Sequence, residues 1–384
     1  MKRHGMVCFL AALVGLGCGD DAESTTPGTT GGTTPTGTAT GTGAGTGGSD
    51  VGGGGTGGTG GLGGAGQGGA IPTSYSCTSV GGSGNTDGIF SLRDFDGTLY
   101  AGMFGYGHEG ESMLFSYPPW QRVSSGIVGI GESVCAMEEY DGQLYANTED
   151  SADIFRSSDG STWERVHDGP AGYIGCGLAI QGDHIYAIQY DVQNQTHGRI
   201  LRSNGGSSWS LVYDSGSASR YVREIVSFGG TLYAFAVDQG TAQGYMLTSS
   251  GGLSWTETAV GARYFRTHPF GGSLWVSSTS SGSNGVAGIW QFDGTSFTQV
   301  HQSAKVYVTD ITDWRGALFA ATSDGWKNDT GNASVLFSIG GQTWTEICQL
   351  GELAAWAIEV SNDRLFVGTW QYQHGGQLYE ITPD

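Results

Sequence analysis

The sequence predicts an all-β chain, a seven-bladed β-propeller of four-stranded antiparallel sheets whose ring is closed by an N-terminal strand. Three observations carry that expectation. A tight turn leading into an apolar, aromatic strand start recurs as FDGTLYAG, YDGQLYAN, QGDHIYAI, FGGTLYAF, FGGSLWVS, WRGALFAA and NDRLFVGT. The anchors of these segments, Tyr100, Tyr145, Tyr186, Tyr233, Trp275, Phe319 and Phe366, are spaced by 45, 41, 47, 42, 44 and 47 residues. That is the period of about 40 to 50 residues expected of four-stranded propeller blades. Finally, no stretch of the repeat region carries helical periodicity.

A second signature follows each of the first six anchors: LFSYPPWQRV, IFRSSDGSTWERV, ILRSNGGSSWSLV, MLTSSGGLSWTET, IWQFDGTSFTQV and LFSIGGQTWTEI. Each reads as a short strand, a tight turn and a second strand opened by an aromatic residue. Glycine supplies the positive φ such turns need, and the aromatic is expected to pack beneath the turn. The two signatures together give four strands per repeat. These segments resemble the Asp-box, or BNR, repeat of sialidase-like propellers, through Ser157, Asp159, Thr162 and Trp163. Asn204, Ser250 and Ile339 stand where the Asp would be, while Gly206, Gly252, Gly341, Trp209, Trp255 and Trp344 keep the rest of the pattern. The resemblance implies a fold and leaves function open, since such boxes occur in glycosidases and receptors alike.

The last repeat ends at GGQLYEITPD, one strand short, and the segment Ser74 to Val80 precedes the first repeat with strand character. It is expected to supply the missing outer strand and so hide the sheet edges.

Upstream, Lys2 and Arg3 followed by the apolar run Met6 to Leu16 read as an export signal, too short to span a bilayer. Gly17 and Cys18 resemble the end of a bacterial lipoprotein signal, which implies that Cys18 becomes the lipidated N-terminus; cleavage nearby without lipid is the alternative. Residues 19–73 are a Gly/Thr-rich tether, too poor in apolar side chains to build a core. Its root-mean-square reach is on the order of 40 Å. The propeller then occupies 74–384, outside the cytoplasm, held by lipid or secreted. With Lys+Arg 16 against Asp+Glu 36, the formal net charge of -20 excludes nonspecific nucleic-acid binding. The lipid would be the only contact with membrane, and the chain is expected to be a monomer.

Candidate sites fall in two places. On the face formed by the longer loops lie Tyr106, His108 and Glu109; Tyr190, Asp191, Asn194 and His197; Trp326, Lys327 and Asp329; and Trp370, Tyr372 and His374. Aromatics among carboxylates and amides suit sugar recognition, or else are solvated loops that cover the sheet ends. The opposite face, made of two-residue turns and boxes, is expected to be scaffolding. Aligned eight residues before the Leu or Ile that precedes each anchor are Ser91, Ala136, Gly177, Glu224, Arg266, Asp310 and Ala357. Glu224, Arg266 and Asp310 therefore occupy equivalent places on adjacent blades, with His268 two residues beyond. They form either a structural clamp between blades or a polar pocket at the mouth of the central channel.

Catalytic motifs are missing: there is no HExxH, CxxC, GxSxG, Walker or dinucleotide pattern, and none of the Arg-Ile-Pro that the sialidase resemblance would bring. Arg93, Arg223 and Arg266 lie on inner strands without an assignable nucleophile. Neither a metal nor a cofactor is expected, the acidic loop Glu149, Asp150 and Asp153 reading as a solvated turn. Of the cysteines beyond the signal, Cys135 and Cys176 fall at the same position on neighbouring inner strands and are expected to pair, leaving Cys77 to Cys348. Against the first pair stands the ring's rotation, which points equivalent side chains the same way round; two separate thiols are the alternative. The function expected is a glycan- or protein-binding module, with a polysaccharide-acting enzyme or an envelope scaffold as the alternatives.

Overall fold

The computed structural model describes residues 71–82, 88–104, 114–125, 127, 133–149, 151–280, 287–324, 331–371 and 375–384. The signal-like segment with Cys18, and the tether as far as residue 70, lie outside the described residues. So do Tyr106, His108, Glu109, Asp150, Trp326, Lys327, Asp329, Tyr372 and His374. Among the described residues every regular element is a β-strand, and the strands form several four-stranded antiparallel sheets.

The chain opens on β1 (Tyr75–Gly82), then lays down β2 (Gly88–Phe95), β3 (Thr98–Phe104), β4 (Leu114–Tyr117) and β5 (Gln121–Arg122), paired in that order. The next sheet is β6 (Val134–Tyr140), β7 (Gln143–Thr148), β8 (Ile154–Ser157) and β9 (Glu164–His167). After it the first strand is interrupted: β10 (Tyr173–Ile174) and β11 (Leu178–Gln181) both pair with β12 (His184–Asp191), followed by β13 (Thr196–Ser203) and β14 (Trp209–Asp214). Regular sheets follow in β15 (Arg220–Phe228), β16 (Thr231–Asp238), β17 (Gly244–Ser249) and β18 (Thr256–Val260), and in β19 (Tyr264–Phe270), β20 (Ser273–Ser278), β21 (Gly288–Phe292) and β22 (Phe297–Gln302). The strands β23 (Tyr307–Trp314), β24 (Ala317–Ser323), β25 (Ser334–Ser338) and β26 (Thr345–Gln349) pair in that order, and single pairs, Ser323 with Ala354 and Gly88 with Trp370, join them through the strands that follow to β2. The last strands, β27 (Ala354–Ser361), β28 (Arg364–Trp370) and β29 (Gln377–Pro383), are joined by β1, which runs antiparallel to β29 from Tyr75 opposite Pro383 to Gly82 opposite Gln377. The first strands of successive sheets pack on one another: β2 on β6, β6 on β11, β11 on β15, β15 on β19, β19 on β23, β23 on β27, and β27 on β2.

The core lies between sheets, and the aromatic anchors build it. All seven are buried, in the second strand of each sheet. Each reaches across to the outer part of the sheet that follows. Tyr100 lies over Gly160, Tyr145 over Gly206, Tyr186 over Gly252 and Trp275 over Gly341. Tyr233 meets Phe292 edge-on at 5.3 Å, Phe319 meets Tyr75 at 5.5 Å, and Phe366 meets Tyr117 at 5.7 Å. The box's own aromatic does reach its turn where Trp344 Nε1 donates to the Gly341 carbonyl at 2.8 Å, and the anchor of the preceding sheet packs over the same glycine. The glycine is required twice over. Its φ is +69° at Gly160, and a Cβ there would stand 1.8 Å from the Tyr100 hydroxyl oxygen. Where the box keeps its Asp, Asp159 Oδ1 accepts the backbone N–H groups of Ser161 and Thr162, each at 2.8 Å, which holds its carboxyl down at about 2. Asp293 closes its turn in the same way.

Near its start, each unbroken first strand carries a β-bulge. Register shifts fall between Ile89 and Ser91, Val134 and Ala136, Val222 and Glu224, Tyr264 and Thr267, Val308 and Asp310, and Ala355 and Ala357. In the third sheet the break between β10 and β11 falls at the same place. A bulge adds a residue and re-aims the side chains around it. That change of aim bears on the expected rotational conflict between Cys135 and Cys176. Both lie at this step, their Cα atoms are 4.8 Å apart, and they are joined as a disulfide. Cys77 of β1 is bonded to Cys348 of β26, with Cα atoms 6.2 Å apart.

The anchor contact predicts a sharp difference between neighbouring glycines. Gly252→Ala should lower unfolding stability by about 2–4 kcal/mol, from overpacking against Tyr186 and a strained φ. Gly251, with open space around it, should accept Ala within about 0.5 kcal/mol. Urea denaturation of the two variants checks this.

Candidate functional site

The bulge sorts the first strands into successive rows. At the bulge itself stand Phe90, Cys135, Cys176, Arg223, Phe265, Thr309 and Trp356, all buried. Phe90 stacks on Phe104 at 5.0 Å and lies tilted against Trp356 at 4.9 Å, Phe265 meets Trp356 edge-on at 5.8 Å, and Tyr307 and Trp370 complete the cluster. Burial in this layer draws the Arg223 guanidinium down to about 10.

The next row holds Glu224, Arg266 and Asp310, and here the structure brings together what the sequence aligned. Arg266 Nη1 donates to Glu224 Oε2 at 3.0 Å, and Thr267 Oγ1 donates to Glu224 Oε1 at 3.0 Å. Asp310 accepts the backbone N–H of Ile311 at 2.9 Å and that of Ile358, on the neighbouring sheet, at 3.0 Å. His268 Nε2 meets Asp313 Oδ1 at 2.8 Å. These bonds run from β15 to β19, from β19 to β23 and from β23 to β27, so each residue ties adjacent first strands.

One row further on is a second charged trio that the sequence alignment passed over. Arg93 donates to Glu138 across the β2–β6 junction, and Glu359 of β27 adds its field to Arg93. The signal was available: Arg93, Glu138, His268 and Glu359 all lie six residues before the aligned Leu. Other junctions are tied by Ser361 to Asp94, Thr309 Oγ1 to the Ala355 carbonyl, Ser91 Oγ to the Val134 carbonyl, and Gln181 Nε2 to the Gly230 carbonyl.

Water reaches these charges from one direction. Along the first strands the bulge row is sealed, whereas Arg266 keeps 20% and Glu224 13% of side-chain exposure, and Arg93 keeps 32%. Exposure thus rises toward the two-residue turns. The face expected to be scaffolding is the wetted one, and the side where the first strands begin is plugged by aromatics. Surrounding protein still strips most of the solvation from these groups. It pushes the Glu224 and Glu359 carboxyls up to about 7, against the pull of Arg266 and Arg93, and raises Asp310 and Glu138 as well.

Two aromatics proposed for sugar stacking are core residues instead. Tyr190 is fully buried on β12, 4.6 Å from the Tyr221 ring, and Trp370 is buried against the bulge-row cluster. Neither ring has a free face for a ligand; both strands run further than expected, so residues assigned to loops pair in sheets. Tyr106, Trp326 and Tyr372 lie outside the described residues. Among the described residues no group of three or more His, Cys, Asp or Glu side chains has metal-binding geometry.

No protein-family model matches the chain, and no curated protein matches it. The site therefore rests on its own chemistry.

Raised carboxyls set a direction for pH. A carboxyl that binds its proton more tightly folded than unfolded stabilises the fold as pH drops through about 7 and costs stability above it. His167, His184 and His301, lowered by burial, oppose this as pH falls through their unfolded value of about 6.5. Between pH 8 and 6.5 the two carboxyls should therefore raise the unfolding free energy by about 1 kcal/mol, a rise that the histidines partly offset. Glu224→Gln together with Glu359→Gln should flatten that rise, measured by urea titration at each pH.

Proposed function

We propose that the chain is an exported, lipid-anchored seven-bladed β-propeller that serves as a binding module for a glycan or protein ligand. Support for a ring comes from the succession of first-strand contacts, which returns from β27 to β2, and from the aromatic contacts, which return from Phe366 to Tyr117. Two disulfides support an oxidising compartment outside the cytoplasm. The Asp159 turn supports kinship with Asp-box propellers.

The observation that carries the binding reading is the charged rows behind the tight turns. Arg93, Glu138, Glu224, Arg266, His268, Asp310 and Glu359 sit together, wetted from one side, and the first six are each bonded to a neighbouring strand. Fixed donors and acceptors lose little freedom on meeting a polar ligand. Glu359 and His268, on the turn side of the cluster, are its first points of contact.

A second reading has its own observation. Glu224 and Glu359, with carboxyls up at about 7, exchange protons near neutral pH, which suits a general acid in glycoside hydrolysis.

A glycan array probed with the mature protein tests both. Binding should fall at least about tenfold with Glu359→Gln or His268→Ala, the loss of one charged hydrogen bond. Retention indifferent to both substitutions contradicts the site, and no retention at all contradicts a glycan ligand; release of new reducing ends from a retained polysaccharide selects the enzyme. For the anchor, Cys18→Ser should move the protein from the membrane fraction to the soluble one, and an unchanged distribution would refute lipidation.

A further inference from the structure

β1 is held differently from every other strand. Its own burial is slight: Tyr75 is buried, Cys77 and Val80 are half-buried, and Ser76, Thr78 and Ser79 face solvent. Its backbone pairs with β29, and the Ser76 and Ser79 hydroxyls reach Asp384 and Gln377. The remaining attachments go to a different sheet. Tyr75 packs among Trp314, Phe319 and Phe337, and Cys77 is covalently joined to Cys348 on β26. The strand is thus hydrogen-bonded to one sheet and bolted to the one before it. Its pairing and disulfide partners are distant in sequence, 271 residues away in the case of the disulfide.

We infer that Cys77–Cys348 is a redox-sensitive latch that decides whether β1 stays in place. A strand with one buried side chain draws little from burial, so its local stability rests on backbone pairing and on the covalent link, which removes the entropy of a very long loop from the detached state. Breaking that link lets β1 peel away while the other sheets, each continuous in sequence, stay folded. Chemistry follows thiol–disulfide exchange. A dithiol thiolate attacks one sulfur, the other leaves as a thiolate and takes a proton, and the second dithiol sulfur then displaces the first cysteine. Two electrons pass to the protein, and the dithiol leaves as its own disulfide. The two disulfides differ in access: Cys77 is half-buried on an outer strand, whereas Cys135 and Cys176 are both buried in the aromatic layer. A gentle reductant should therefore open the latch first.

Amide exchange on the full-length protein tests this, before and after limited reduction by a dithiol, with alkylated cysteines mapped by mass. Exchange in Tyr75–Gly82 and Gln377–Pro383 should quicken at least about tenfold when Cys77 and Cys348 are alkylated, while β15 to β22 keep their protection. A Cys77→Ser, Cys348→Ser variant should show the same local pattern without reductant. Unchanged exchange in β1 after complete alkylation of both cysteines would overturn the latch, and so would a uniform loss of protection across all sheets. Failure of the variant to fold would also overturn it, since the bond would then be needed by the whole fold. None of these outcomes depends on what the propeller binds.

Discussion

An aromatic ring from the second strand of one sheet closes over the outer turn of the sheet that follows, and the rest of the architecture is arranged around that contact. In three of these junctions a tyrosine hydroxyl meets a glycine whose φ is positive, and in a fourth Trp275 takes the same place over Gly341. Elsewhere the contact is ring on ring: Tyr233 with Phe292, Phe319 with Tyr75, Phe366 with Tyr117. A four-stranded sheet has two faces to cover and cannot cover either alone. The repeat spacing is a consequence, because each anchor must reach a turn one sheet further on.

Polar chemistry does the corresponding work at the first strands. Besides the aromatic cluster of the bulge row, successive strands are joined by named bonds: Arg93 to Glu138, Cys135 to Cys176, Glu224 to Arg266, His268 to Asp313, Asp310 to the Ile358 amide and Ser361 to Asp94. Of the clamp and the pocket, left open as alternatives by the sequence, the bonds of Glu224, Arg266 and Asp310 between strands are those of a clamp, and the pocket belongs to the proposed function. Ion pairs that tie strands together also present fixed charges to the water at the turn side. Raised carboxyl affinities mark the cost of taking these acids out of water, to which neighbouring acids add.

Much of the fold was legible because it is written in side-chain type. Anchors such as Tyr145 and Phe319 declare themselves by an apolar run after a tight turn, and the unmatched segment from Ser74 points to the unfinished last sheet. What stayed hidden is written in backbone register. Nothing in the composition of Phe90-Ser91 or Thr309-Asp310 announces a bulge, yet the bulge brings Cys135 to Cys176 and seals one side of the charged rows. Tyr190 and Trp370 were taken for loop residues because aromatics flanked by polar residues look the same at a strand end as in a loop. The Arg93, Glu138 and Glu359 trio was missed for a simpler reason: it lies one alternation further along the same alignment, on the same side of the strands as Glu224 and Arg266.

The most direct test of this account is a double-mutant cycle across one junction, Tyr145 on one sheet and Gly206 on the next. A Cβ at Gly206 would stand 1.8 Å from the Tyr145 hydroxyl oxygen, so truncating the tyrosine should make room for it. The cost of Gly206→Ala, measured by urea unfolding, should shrink by at least about 1 kcal/mol in a Tyr145→Ala background, with only the φ strain left. Strictly additive costs would mean that ring and turn do not meet, and the account of how the sheets are held together would fail with them.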